Sequence, residues 1–93
     1  MRWRVHANKR TLRLVEKMPR RAQGAFWRLK AVLEESGPTG PHGWRNYGKL
    51  KGEANPFHCH LTPDHQWVAC WRSEEEILTI EIFYAGSHQG APY

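Results

Sequence analysis

Four of the six histidines in this chain lie after residue 57, close to one short stretch of alternating residues. Two imidazoles that titrate near neutral pH can act together, one taking a proton and the other giving one. Hydrolysis or internal transesterification of RNA requires such a pair and needs no metal. The group comprises His58, His60, His65 and His88, with Asp64 among them.

A metal site is a competing interpretation, because imidazoles and thiols are ligands for zinc and related ions. Alternation along a strand argues against it, since Cys59 would point away from His58 and His60. We therefore predict no metal, and expect Cys59 and Cys70 to be reduced, buried thiols. A simpler interpretation of each histidine is a surface residue of a hairpin with no chemical role.

Positive charge is concentrated in the first half of the chain. Residues 1–45 carry a net charge of +8 and residues 46–93 a net charge of −3. Such a basic half favours a polyanion or an acidic protein as partner, although a solvated helix face would have the same composition. Further along, Lys49 and Lys51 could bring two ammonium groups to a phosphate, or could belong to a solvated loop.

Length and hydropathy exclude several classes of protein. The 93 residues can build one small domain, 1–93, but not a dinucleotide-binding sheet with a separate substrate domain. No apolar run reaches the roughly 18 residues of a membrane span, and no signal-type segment follows Met1. We expect a soluble, cytoplasmic protein with no membrane partner.

The first half of the chain predicts one strand and two helices. Alternation indicates a strand over residues 2–7, and Asn8 can cap a short basic helix. A second helix follows Pro19, carries an apolar stripe and ends near Gly37. Residues 37–48, rich in Gly and Pro, are predicted to be a crossover.

The second half predicts three antiparallel strands. Residues 57–62 and 67–72 are predicted to form a hairpin. Pairing Leu61 with Val68 would place the apolar side chains of the segment 57–61 on the core side. That register leaves Trp67 and Trp71 on an open side with His58 and His60, where they could stack on a ligand. Residues 73–76 are predicted to be a turn, 77–84 a last strand and 85–93 a loop.

The predicted fold class is therefore α+β, in the order β-α-α-β-β-β. The sheet is mostly antiparallel, and two helices cover one of its faces.

Several short motifs occur in this order: Lys-Leu-Lys-Gly (49–52), His-Leu-Thr-Pro-Asp (60–64), Trp-Arg (71–72), Gly-Ser-His (86–88) and a terminal aromatic, Tyr93. The series resembles the RelE/ParE superfamily of bacterial toxins, and within it the YafQ-like branch. The resemblance covers most of the chain. Two departures are that His65 follows the Pro-Asp pair, where the branch usually has an aromatic residue, and that Tyr84 stands where it often has Arg.

The resemblance implies a toxin of a type II toxin–antitoxin pair, acting as a metal-independent mRNA endoribonuclease on the ribosome without a cofactor. It implies that His60 and His88 are the acid/base pair, that Asp64 assists one of them, and that Tyr93 positions the RNA. On charge and placement, Lys49, Lys51 and Arg72 are candidates for binding phosphates, and Trp71 is a candidate for binding RNA by stacking. The implied partners are a cognate antitoxin, mRNA and ribosomal RNA.

An alternative hypothesis is a non-catalytic protein of the same fold that binds a protein target, such as a gyrase-directed or inactive relative. Such a protein would not need the histidine pair.

Overall fold

The computed structural model describes residues 2–50 and 56–93. Its strands and helices are β1 (Arg4–Ala7), α1 (Lys9–Glu16), α2 (Arg20–Ser36), β2 (Gly48–Lys49), β3 (Phe57–His60), β4 (Trp67–Glu74) and β5 (Thr79–Ser87). A short 3₁₀ helix, Glu75–Ile77, joins the last two strands. The described strands form one sheet in the order β1-β5-β4-β3-β2, in which β1 runs parallel to β5 and the other pairs are antiparallel. The predicted α+β class is confirmed, and the predicted elements follow one another in the predicted order, with one further strand, β2.

Local capping explains where the two helices begin and end. The Asn8 side chain accepts a hydrogen bond of 2.8 Å from the backbone N–H of Thr11 and so satisfies the first turn of α1. At the end of α2, Gly37 has φ +81°, and a Cβ there would lie 2.7 Å from Nε1 of Trp3. A glycine is therefore required by both the backbone conformation and the close approach of the indole. Neither described helix is long and apolar enough to cross a bilayer.

The helices cover one face of the sheet. The buried stripe of α2 meets residues from β1, β3, β4 and β5 in a single hydrophobic core. The buried residues that α2 contributes are Ala22, Ala25, Phe26, Leu29 and Leu33.

Several strand boundaries differ from the sequence prediction. Strand β1 begins at residue 4 rather than 2, and β3 ends at residue 60 rather than 62. The pair Gly48–Lys49 forms a short strand against β3 at the end of the predicted crossover. Strand β4 continues to Glu74, into the predicted turn, and β5 starts at Thr79 rather than Ile77. Strand β5 also runs on to Ser87, because its last residues pair with the start of β4, so the predicted loop over 85–93 begins three residues later.

The predicted hairpin register is wrong by one residue. Val68 pairs with His60 rather than Leu61, and Phe57 pairs with Trp71. Directly paired residues share a face, so Trp71 joins Phe57 in the core, while His58 and His60 lie on the opposite side. Trp71 is fully buried, stacks at 5.9 Å on Phe57, and its Nε1–H donates to the Pro38 carbonyl at 3.1 Å. Burial of this large ring stabilises the observed register.

A β-bulge in β5 keeps its apolar residues in the core on both sides of an irregularity. Ile82 lies opposite Trp71, and Ala85 lies opposite Ala69. The two residues between Ile82 and Ala85 in β5 therefore face the single residue between Ala69 and Trp71 in β4. Both Ile82 and Ala85 are fully buried in the core cluster.

We expect Trp71→Ala to lower the free energy of unfolding by about 3–5 kcal/mol, because it would leave a large cavity in the core. Trp27→Ala is the matched control: Trp27 is 51% exposed, so its loss should change stability by less than about 0.5 kcal/mol. Urea unfolding of both variants tests this. Equal stability losses would contradict the burial of Trp71.

Candidate functional site

The turn between β3 and β4 brings two histidine rings together. Pro63 occupies the second position of a tight turn, in which the backbone N–H of His65 donates to the Thr62 carbonyl at 3.1 Å. His65 then adopts a left-handed conformation, with φ +62°. The chain turns back on itself, and Nδ1 of His65 lies 2.7 Å from Nδ1 of His60.

The end of β5 adds a third ring. The backbone N–H of His88 donates to the carbonyl of Gln66 at 2.8 Å, which holds the start of the tail beside the hairpin. The ring centroids of His60 and His88 lie 5.2 Å apart, at an angle of 75°. The structure therefore brings together the two histidines that the sequence analysis assigned as an acid/base pair.

The C-terminal tail folds onto the same side of the sheet. The Tyr93 ring stacks on His58 with centroids 4.8 Å apart and meets the edge of His88 at 6.0 Å. Val68 and Cys70 are fully buried although they lie outside the helix-side core. The predicted open face is thus partly covered. We call His58, His60, His65 and His88 the histidine cluster.

Burial and repulsion from neighbouring rings both disfavour protonation of His58 and His60. The pKa of His60 lies below its ordinary value, first because the residue is only 6% exposed, then because of the nearby rings of His65, His88 and His58. Burial, followed by His88, lowers the pKa of His58 in the same way. A bound phosphate would act in the opposite direction, since an anion favours the imidazolium form.

Asp64 holds the turn rather than a histidine. One carboxylate oxygen accepts from the Thr62 hydroxyl at 2.5 Å and from the Gln66 backbone N–H at 3.1 Å, and the other pairs with the Arg21 guanidinium of α2. These contacts, the Thr62 hydrogen bond first, lower the pKa of Asp64 to about 2. Among the described residues, no hydrogen bond joins Asp64 to a histidine. An assisting role for Asp64 would therefore be indirect.

The predicted cations lie in different places. Lys49 pairs with Phe57, and its Nζ lies 5.6 Å from the centroid of that core-side ring, so it is on the far side of the sheet from the histidine cluster. Lys51 falls outside the described residues. Arg72 lies 4.1 Å above the Phe83 ring and 3.6 Å from a carboxylate oxygen of Glu81. It lines a groove that Tyr93 also lines.

Trp71 cannot stack on a base as predicted. Its ring has no exposed surface, because the hairpin register turns it into the core.

Two arginines that sequence reasoning did not single out lie beside His60. Arg28 of α2 and Arg45 line a groove of about 340 Å³ that also borders His60 and Trp44. The backbone supports this placement, since the N–H of His60 donates to the Arg45 carbonyl at 2.8 Å. Arg45 precedes the short strand β2. The basic residues near it in the sequence were the feature that could have identified it as a candidate for binding RNA. A second groove of about 390 Å³ borders His65 and His88.

The two cysteines and the arrangement of metal-ligating side chains bear on whether the described part of the chain has a reactive thiol or a metal site. Cys59 and Cys70 are free and fully buried, as predicted, and burial raises the pKa of each thiol to about 12. Across residues 2–50 and 56–93, no group of three or more His, Cys, Asp or Glu side chains is arranged to hold a metal ion.

A sheet of this strand order, with two helices on one face, defines the fold of RelE-type toxins. The chain is similar to three solved structures: the RelE–RelB complex of the archaeon Pyrococcus horikoshii OT3, the isolated RelE toxin of E. coli, and a toxin–antitoxin complex of Mycobacterium tuberculosis. No protein-family model matches the sequence, and no curated protein matches it.

Each likeness spans nearly the whole chain at low identity. The Pyrococcus toxin is 17% identical, with 98% of this chain and 100% of that chain covered and a TM-score of 0.76. The E. coli toxin is 11% identical, with 97% of this chain and 88% of that chain covered and a TM-score of 0.73. The Mycobacterium chain is 18% identical, with 95% of this chain and 100% of that chain covered and a TM-score of 0.65. Such similarity establishes the shared fold. Membership of the YafQ-like branch stays a prediction.

We expect the free energy of unfolding to rise with pH just below pH 6.5. Folding lowers the pKa of His58 and His60 from 6.5, so between those lowered values and 6.5 the unfolded chain binds more protons than the folded one. The full contribution is present above pH 6.5. Asp64 acts in a separate window, since its contribution is lost as the pH falls from about 3.8 to about 2.

Urea unfolding across this pH range measures both effects. His60→Gln should flatten the dependence near pH 6, whereas His6→Gln, an exposed residue of β1, should leave it unchanged. An unaltered slope in the His60 variant would contradict the assigned cause.

Proposed function

We propose that this chain is the toxin of a toxin–antitoxin pair and cleaves mRNA on the ribosome by histidine acid/base chemistry without a metal. The observation that carries the proposal is the approach of the His60 and His88 rings to 5.2 Å at the surface of the sheet. One groove is lined by His60 and another by His65 and His88, and together they offer a path for a polynucleotide past this pair. The RelE-type fold supports the same conclusion.

The chemistry follows from what two neighbouring imidazoles can do. One takes the proton of a ribose 2′-hydroxyl, whose oxygen attacks the adjacent phosphorus, and the other protonates the leaving 5′-oxygen. The products are a 2′,3′-cyclic phosphate and a 5′-hydroxyl. Because burial and the neighbouring rings lower the pKa of His60 in the free protein, the phosphate of the substrate itself would supply the field that favours a protonated ring at this site.

Arginine side chains support binding of the RNA backbone. Arg28 and Arg45 lie in the groove beside His60, where they could contact phosphates and stabilise charge that develops at phosphorus. Trp44 in the same groove offers a ring for stacking. Arg72 and Tyr93 could hold the strand at the other end of the site. Lys49 is a more distant candidate, and Lys51 stays a candidate on its charge alone.

The proposed regulator is a cognate antitoxin. The Pyrococcus and Mycobacterium toxins of this fold were solved in complexes with their antitoxins. In this chain, the net charge of +8 over residues 1–45 favours an acidic partner segment. Ribosomal RNA would be attracted by the same charge, consistent with a cytoplasmic site of action.

We expect the purified protein to cut mRNA in a translating extract, and His60→Ala and His88→Ala each to reduce cleavage by roughly 10²- to 10⁴-fold, the usual contribution of one proton-transferring side chain. Primer extension measures the cut sites. A substrate with a 2′-deoxy sugar at the cut site should not be cleaved, since it lacks the nucleophile.

His6→Ala is the matched control, because His6 is exposed on β1, three strands away from β3 in the sheet. Circular dichroism and urea unfolding check that all three variants fold. Uncut mRNA with a stable, folded wild-type protein would favour the alternative, a non-catalytic protein that binds a protein target.

We also expect Arg45→Ala to lower kcat/KM by about tenfold to a hundredfold, the effect of losing one charge-assisted contact of about 1.5–3 kcal/mol. The difference in kcat/KM between the wild type and Arg45→Ala should become smaller as salt is raised. Salt screens the attraction between Arg45 and phosphate, so the wild type loses the advantage that the variant lacks. Arg13→Ala, which removes an exposed arginine of α1, is the control. Equal activity of the two variants would remove Arg45 from the RNA-binding surface.

A further inference from the structure

The contact between His60 and His65 fixes how these two rings hold their protons. Their Nδ1 atoms are 2.7 Å apart, which is hydrogen-bonding distance. Two bare nitrogens at this distance would repel through their lone pairs, and two N–H groups would clash. One proton must therefore lie between them, with one ring as donor and the other as acceptor.

This contact leaves a single ring nitrogen of His60 for the substrate. Nδ1 is engaged with His65, so Nε2 is the atom that can exchange a proton with RNA. Asp64 does not supply the usual third group that orients a catalytic histidine, because its oxygens are taken up by Thr62, Gln66 and Arg21. His65 occupies that position instead.

Exposure differs sharply between the two rings. His60 is 6% exposed, whereas His65 is exposed and borders an open groove. A nearly buried base must return its proton to water in each catalytic cycle, and its hydrogen-bonded neighbour offers the direct route.

We propose that His65 is a positioning residue that orients His60 through the Nδ1–Nδ1 hydrogen bond and relays protons between His60 and solvent. The inference rests on the proposed function. It adds a role for a residue at which this chain departs from the toxins it resembles.

The relay balances without any further reactant. When Nε2 of His60 takes the proton of the 2′-hydroxyl, the proton on its Nδ1 moves to Nδ1 of His65, and His65 releases its Nε2 proton to water. The oxygen keeps the electron pair of its broken O–H bond and uses it to bond to phosphorus. Both rings end neutral, with their tautomers exchanged.

Two variants separate positioning from relay. His65 has a left-handed backbone, which Asn and Gly both tolerate. His65→Asn keeps a short side chain whose amide oxygen can accept from Nδ1 of His60 and so orient that ring, but which cannot take up a proton. His65→Gly removes both abilities and leaves the turn in place.

The hydrogen-bonded pair is tested first in the free protein, by ¹⁵N NMR of the imidazole nitrogens at a pH where both rings are neutral. We expect His60 to be protonated at Nδ1 and His65 at Nε2, as the relay requires. A spectrum in which both rings carry their proton on Nε2 would overturn the proposal. This measurement needs no RNA.

The relay is tested in single-turnover cleavage with a saturating amount of protein. We expect His65→Gly to be slower by about tenfold to a hundredfold, less than the loss of His60 itself, and added imidazole to restore much of the rate. His65→Asn should keep the His60 tautomer but also respond to imidazole. The wild type should not respond, and unfolding in urea shows whether each variant is as stable as the wild type.

Other outcomes contradict specific parts of the proposal. Cleavage by His65→Gly at the wild-type rate would overturn both roles. A slow His65→Gly that ignores imidazole, with full activity in His65→Asn, would overturn the relay. If the wild type cleaves no RNA, the proposed function fails and the relay with it, while the NMR spectrum still decides whether the pair exists.

Discussion

The pairing of Phe57 with Trp71 decides which side of the sheet every residue of the central hairpin faces. Side chains alternate along a strand, so a slip of one residue would either bring Trp71 out to the side of the histidines or turn His60 into the helix-side core. Burying a tryptophan ring is favourable by several kcal/mol, whereas a buried imidazole without a partner is costly. The hydrophobic core thereby fixes the side on which the histidine cluster forms.

The histidine cluster is less favourably packed than the hydrophobic core on the other side of the sheet. Four imidazoles share one side of the sheet with the Tyr93 ring, and Nδ1 of His58 is buried with no hydrogen-bond partner among the described residues. Such packing disfavours positive charge in the free protein. An anion would reverse that preference, so binding of a phosphate and protonation of the rings would favour each other. The same coupling would keep the proposed acid in its protonated form when substrate is present.

Sequence reasoning reached the elements more readily than their register. Apolar periodicity located both helices, and alternation located β3. The hairpin register depends on the left-handed turn at His65, which alternation does not reveal, so the cleanest separation of polar and apolar residues put Trp71 on the wrong face. Residues 85–87 have weak strand propensity, and they extend β5 because partners in β4 are available.

For the site, too, local sequence features could be predicted, whereas contacts between residues distant in sequence could not. Spacing placed several histidines near one hairpin, but the approach of His88 to His60 depends on how the tail packs, and it was expected because of family resemblance. The contact of His65 with His60 depends on one backbone angle. Arg45 reaches the neighbourhood of His60 through a backbone hydrogen bond between segments that are distant in sequence. Periodicity carries none of these contacts.

Asp64 connects the two faces of the molecule. Its carboxylate closes the turn that presents His65, and through Arg21 it also ties that turn to α2, whose other side packs in the core. The low pKa of Asp64 follows from these contacts and keeps it ionised throughout the range in which histidines titrate. A carboxylate that holds the turn in one conformation would leave the proposed proton chemistry to the imidazoles. The helix layer, the turn and the histidine cluster therefore form one continuous set of contacts, in which the Asp64 carboxylate is a structural group.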